Sequence, residues 1–282
     1  MDLAKAKSVV IVMLLAFNIF LLFNNVTYSK RQGIQSETIE NVEKILKTRG
    51  VTLECRIPTA SREAHRLEYG NGGLDRDAIA AKLLGESYMV SGGGGQYGYG
   101  GKEIVFSGST SLLFTDDKPA SAVDIGDDDK VTKAALKYLK DKGLAGGTYV
   151  VDALERSRDG SVVVYFIEEY DGFLVYDNYS TVTVTAKGIT RLEYNRLQIK
   201  GFTAERVEDF AAAYQVLLAN FKDGGKQVIT DIDIGYKHSD DYSMNGKESV
   251  ELLPVWRIKI KDTPGPLYLG NNETEENNTQ ND

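Results

Sequence analysis

One cysteine and two histidines among 282 residues leave little room for thiol or metal chemistry. A lone thiol, Cys55, permits no intramolecular disulfide and no cysteine-based zinc site of ordinary ligand number. It lies in Val51-Thr52-Leu53-Glu54-Cys55-Arg56-Ile57, where alternation puts Val51, Leu53, Cys55 and Ile57 on one strand face. A buried cysteine acting as a small hydrophobe is the expectation, rather than a reactive thiol. Positive charge is also scarce: 33 Lys and Arg against 41 Asp and Glu leave a formal charge of −8. Nucleic acid is thereby excluded as a partner, because its binding needs clustered cations to displace counterions.

Catalytic constellations are equally thin. His65 stands between arginines in Arg62-Glu63-Ala64-His65-Arg66 and is expected to be exposed. His238 precedes Ser239, Asp240 and Asp241, but no G-x-S-x-G elbow supports a triad. The acidic groups Asp127-Asp128-Asp129, Glu168-Glu169-Asp171 and Asp240-Asp241 match no calcium loop. The first reads as a helix start, where carboxylates meet the positive end of the dipole. A literal G-x-G-x-x-G at Gly93, Gly95 and Gly98 precedes a strand candidate instead of a helix, so it reads as a flexible loop rather than a dinucleotide site. No catalytic, cofactor-binding or metal-ligating residue is assigned. Asn-x-Ser/Thr occurs at Asn25, Asn178, Asn272 and Asn277 and matters only in a host that glycosylates.

What the chain does have is a long apolar run, Val9 to Phe23, interrupted only by Asn18. From Ser8 to Val26 a helix spans roughly 28 Å, close to the ~30 Å hydrocarbon core. Lys5 and Lys7 precede it, and the residues after it are not of the small-x-small cleavage type. An uncleaved anchor with a cytoplasmic N-terminus is preferred. A cleaved signal peptide and a buried core helix are the other readings. The plan is then a cytoplasmic tail at 1–7, a transmembrane anchor at 8–26, and an extracytoplasmic subdomain at 27–122. A second subdomain covers 123–270, and a disordered acidic tail runs from 271 to 282. The localisation expected is the cell membrane, single-pass, with the bulk of the chain extracytoplasmic.

Periodicity gives the rest an α+β character, with helices packed on antiparallel sheets. Helices are predicted over 34–48, 74–84, 128–142 and 203–221, the last capped by Thr203. Asp159-Gly160, Asp171-Gly172 and Lys187-Gly188 separate strand runs at 149–154, 162–169, 173–185 and 189–199, an antiparallel meander with tight turns. Val182 and Val184 oppose Thr181, Thr183 and Thr185, so one face is apolar and the other wet. Further strands are predicted at 104–106, 111–114, 228–236 and 250–260, with a glycine loop at 91–101.

The Lys5/Lys7 start, the span with Phe17-Asn18-Ile19-Phe20 and the late Pro254-Val255-Trp256-Arg257-Ile258 strand resemble the YycI family. That resemblance implies a non-enzymatic, membrane-anchored regulator. Its implied partners are a sensor histidine kinase controlling cell-wall metabolism and a YycH-like protein, met through transmembrane and extracytoplasmic contacts. Asn18, flanked by Phe17 and Phe20, is the candidate for lateral helix association, since an interhelical hydrogen bond contributes about 0.6–2 kcal/mol. Tyr97, Tyr99, Tyr165, Tyr170, Tyr176 and Trp256 are candidates for a protein-contact surface, with a core role the stronger expectation for Trp256. Two other functions stay open: an anchored binder of a cell-wall or peptide ligand, and a cell-wall hydrolase using scattered carboxylates.

Overall fold

The computed structural model describes residues 13–20, 36–59, 63–70, 72–208, 210–222, 225–238 and 249–270. The tails expected at 1–7 and 271–282, and the turn expected at 239–247, lie outside them. Residues 13–20 are helical (α1). Among the described residues no helix is long and apolar enough to cross a membrane; only these eight positions of the apolar run are described.

The remaining chain forms two compact units, neither contiguous in sequence. One takes the described residues of Met1–Glu63, Asp209–Ile232 and Arg257–Asn271. Helix α2 (Ser36–Thr48) buries Val42 and Leu46 and touches both strand β1 (Val51–Leu53) and helix α5 (Ala213–Asn220). Strand β1 runs parallel to the first residues of β12 (Gln227–Tyr236), pairing Val51 with Gln227 and Leu53 with Ile229. The alternation around Cys55 outlasts the strand, which stops at Leu53. Cys55 lies half-buried just beyond, its Sγ 3.8 Å from the Ile229 carbonyl.

The other unit takes Ala64–Glu208 and Asp233–Trp256. Its main sheet follows the predicted meander: β7 (Thr148–Arg156), β8 (Val162–Tyr170), β9 (Phe173–Thr185) and β10 (Gly188–Asn195). The β8–β9 turn places Asp171 at φ 49° and Gly172 at φ 79°, as the Asp-Gly pair foretells. β10 then pairs with β6 (Ser111–Asp116), β6 with β5 (Lys102–Ser107), β5 with β4 (Gln96–Tyr99) and β4 with β3 (Met89–Ser91), all antiparallel. Register aligns Leu154, Val164, Val182, Leu192, Phe114, Ile104 and Tyr97 in one transverse row. That row belongs to the main core, beneath Leu83 and Leu84 of α3 (Arg76–Leu84) and Val131, Ala135 and Leu139 of α4 (Asp128–Asp141). Asp75 and Asp127 cap these two helices by accepting the backbone N–H of Ala78 and Lys130.

A second, three-stranded sheet orders β11 (Gln198–Arg206), β2 (His65–Gly70) and β13 (Ser249–Leu252). With Phe173, Val175 and Tyr236 it encloses a smaller core around Leu67 and Tyr69. Strand β14 (Pro254–Ile260) follows, so the run predicted at 250–260 divides before Pro254. β1 with β12 and β12 with β9 pair in parallel, unlike the antiparallel meander.

Two elements differ from the pattern-based expectation. Residues 203–206 are strand, not helix: β11 pairs Ile199 with Tyr69 and Phe202 with Leu67, and this non-local pairing overrides the helical spacing. Helix α5 begins only at Ala213, where Gln215 Oε1 accepts the Ala212 N–H at 2.9 Å. The glycine stretch is not an open loop either. It holds a turn of 3-10 helix at Gly92–Gly94 and strand β4, so its backbone groups join the sheet.

Candidate functional site

One face of the main sheet carries the helices, and the other presents a second transverse row one residue out of phase. There Tyr165 stands opposite Thr181, Thr181 opposite Glu193, Glu193 opposite Leu113 and Leu113 opposite Val105. Period-two alternation dictates this split, since each inward Val or Leu sends its neighbour outward. The row is half-buried at the meander and opens toward β3, the terminal strand of that sheet. On that face Val105 is 39% and Met89 75% exposed, while Val90 and Tyr99, which share the inward phase of Tyr97, are 52% and 51% exposed at the end of the sheet. A terminal strand with exposed apolar residues is a surface suited to another protein. Met89, Val90, Val105 and the 39%-exposed Tyr179 were not among the candidates from sequence. Only Val105 carried a usable signal, by its phase opposite Ile104 and Phe106.

The six aromatic candidates do not converge. Tyr99 is exposed at the β4–β5 turn. Tyr165 lies on the outer row, its hydroxyl donating to Glu155 Oε2 at 3.2 Å. Tyr170 leans on Phe202, ring centroids 5.3 Å apart, at the edge of the smaller core. Tyr97, Tyr176 and Trp256 are buried at 5%, 6% and 5% exposure, so their rings line the interior. Tyr97 occupies the inward row opposite Ile104, and Tyr176 donates to Asp233 Oδ1 at 2.6 Å.

On α1, Phe17 and Phe20 are exposed at 57% and 59%, and Asn18 Nδ2 donates to the Leu14 carbonyl at 2.9 Å. One N–H of the amide is thus engaged within its own helix, while a second N–H and the oxygen remain available for a neighbour.

The acidic and histidine groups resolve into structural roles. Glu168 is buried and held by Arg196 and Asn178 inside the sheet. Asn178 itself is fully buried, which removes it as a glycosylation acceptor; Asn25, Asn272 and Asn277 lie outside the described residues. His65 is half-buried on β2 rather than exposed, its ring centroid 6.5 Å from that of Phe202. The His238 backbone N–H donates to Asp177 Oδ2 at 2.5 Å. Among the described residues no group of three His, Cys, Asp or Glu side chains is placed to hold a metal ion.

The model of the YycI protein family matches residues 29–276. The chain belongs to the YycI family. YycI proteins are regulatory. No curated protein matches the sequence. Among solved structures, YycH from Bacillus subtilis is similar at 14% identity and a TM-score of 0.48, over 75% of this chain and 53% of that one. The chain therefore spans about half the length of that YycH.

Proposed function

We propose that this YycI protein is a non-enzymatic, membrane-anchored regulator of a sensor histidine kinase in a two-component system governing cell-wall metabolism. Membership of the YycI family across residues 29–276 carries the reading. The apolar run anchors the chain in the cell membrane, with the N-terminus cytoplasmic and both folded units outside. Within the bilayer, Asn18 bonds laterally to the kinase helix through the amide groups that Leu14 leaves unused. Outside, the outer face of the main sheet, from Tyr165 to Val105 and the β3 edge, meets a YycH-like partner and the kinase.

A reporter of kinase output tests both contacts. Asn18→Leu should reduce regulation while membrane fractionation stays as in the parent, and replacing residues 9–23 by an unrelated span should remove it. Full regulation by the span-swapped protein would sink the transmembrane part of the reading. It would favour the alternative, an anchored binder of a cell-wall or peptide ligand, for which exposed Tyr99 beside the glycine turn of the β4–β5 hairpin is the supporting observation.

A further inference from the structure

The segment between β6 and α4 lines a cavity of about 580 Å³ together with α4, β5 and β10. The segment is tied at several points. Asp116 Oδ1 accepts the Lys118 N–H at 2.9 Å, and the Val123 N–H reaches the Ala186 carbonyl at 3.3 Å. Gly188 completes the fit: a Cβ there would lie 2.9 Å from the Ser121 carbonyl oxygen. The cavity is therefore a consequence of fixed backbone, and its volume falls in the ~300–1,000 Å³ range of small-molecule sites.

Its lining is amphipathic and locally cationic in a chain of net charge −8. Ala122, Val123, Ala134 and Ile189 give an apolar wall, and four lysines and two aspartates supply the charge. Lys137 is paired with Asp141, and Asp116 is occupied by the Lys118 backbone. Among the described residues Lys102, Lys118 and Lys142 make no ion pair. Lys142 is half-buried, donates to the Lys82 carbonyl at 2.7 Å, and sits 5.8 Å from the Tyr138 ring centroid. Burial, and then the charge of Lys102, pull its pKa below the ordinary lysine value, against a smaller opposing pull from Asp141. Such a group gains from an incoming anion.

No arginine lines the cavity, so the planar two-point fork that suits a carboxylate is missing. Lysine ammonium groups, which act as point charges, suit a tetrahedral, multiply charged oxyanion instead. We propose that this cavity is a binding site for a soluble phosphate monoester on a small organic body, such as a sugar phosphate. Lys102, Lys118 and Lys142 meet the phosphate, and the wall formed by Ala122, Val123, Ala134 and Ile189 carries the remainder.

Calorimetric titration of the purified full-length chain with glucose 6-phosphate, glucose and glucuronate tests this. Saturable binding of glucose 6-phosphate is expected, with none for glucose and at least about tenfold weaker affinity for glucuronate. The double variant Lys102→Ala/Lys118→Ala removes no ion pair and should bind at least about tenfold more weakly with an unchanged melting temperature. Ala122→Phe fills the cavity from the tethered segment without altering a charge and should abolish binding. Lack of saturation by glucose 6-phosphate overturns the proposal, as does parental affinity in both variants. Equal affinity for glucuronate removes the phosphate preference on which it stands. Binding only to phosphatidylcholine vesicles that contain phosphatidic acid likewise rules out a soluble ligand.

Discussion

Arg196 closes on Glu168 through two hydrogen bonds, Nε to Oε2 at 3.2 Å and Nη2 to Oε1 at 3.1 Å. Asn178 completes the group. Its Nδ2 donates to Glu168 Oε2 at 2.7 Å, and its Oδ1 accepts the Leu197 N–H at 2.7 Å. This cluster explains why the strand run predicted over 189–199 divides into β10 and β11. The Arg196 side chain reaches the buried carboxylate, and the Leu197 N–H goes to Asn178 instead of extending the ladder. The cluster also sets what can stand nearby, because a Cβ on Gly147 would run into the Glu168 carboxylate and one on Gly146 into the Arg196 guanidinium.

Removing the cation should therefore be costly. The Glu168 side chain is 4% exposed and that of Arg196 is 32% exposed. Arg196→Ala leaves a buried carboxylate with only the Asn178 amide, for an expected loss of about 2–3 kcal/mol, at or below the low end for breaking a buried pair. Glu168→Gln retains an acceptor of similar shape and should lose less. Urea unfolding of both variants gives the comparison; equal stability of Arg196→Ala and the parent would mean the pair contributes nothing net. Gly147→Ala should approach the Arg196→Ala loss by crowding the same carboxylate.

Gly188 offers a test of a different kind, since two constraints act there together. Its φ of +134° disfavours any side chain, and a Cβ would approach the Ser121 carbonyl oxygen at 2.9 Å and Pro119 Cβ at 3.0 Å. Gly188→Ala should destabilise by about 1–3 kcal/mol. It should also loosen residues 119–122, seen as faster amide exchange confined to that segment. Unchanged exchange would show that the β9–β10 turn and the segment are not mechanically linked.

Much of this fold was legible because local chemistry and tertiary pairing agree. Asp171-Gly172 supplies the two positive φ values of a tight hairpin, and Val182 and Val184 alternate with threonines through β9, so turn and strand were both readable. The misread parts are those where distant partners decide. Residues 203–206 carry helical spacing but end β11, which pairs with β2, and β4 lies between glycines, so its four residues carry little strand signal. The candidate surface was harder still. Whether Met89 and Val90 are exposed depends on β3 being the terminal strand, and strand order is a property of the whole sheet, not of the sequence around Met89.

Asp127 was readable for the opposite reason, because capping is local. Its carboxylate accepts the Lys130 N–H at 3.1 Å in front of an amphipathic helix that buries Val131, Ala135 and Leu139. Asp127→Ala should cost about 1 kcal/mol, while Asp127→Asn keeps the acceptor and should cost only tenths. A thermal melt of the two variants separates capping from charge. A loss in Asp127→Asn as large as in Asp127→Ala would assign the effect to the helix dipole and to Lys130, whose Nζ lies 3.6 Å from Asp127.

Cys55 gives a prediction in pH. Burial, reinforced by the nearby Asp231 carboxylate, pushes its thiol from 9.0 up to about 11. The thiolate is the reactive form, so two units of upward shift cut its population at pH 8 about 100-fold relative to a free cysteine. Alkylation by iodoacetamide should accordingly be slow in the folded chain at pH 8 and accelerate between pH 9 and 11, whereas the urea-unfolded chain reacts at the ordinary rate. The same shift has a stability consequence whose sign is fixed. Below pH 9 both folded and unfolded chains hold the proton and nothing is lost. As pH rises toward 11 the unfolded thiol ionises first, so the folded state loses ground across that window. Cys55→Ser carries no thiol to ionise and should show a flatter stability profile between pH 9 and 11. Rapid alkylation of the folded protein at pH 8 would contradict the upward shift of the thiol.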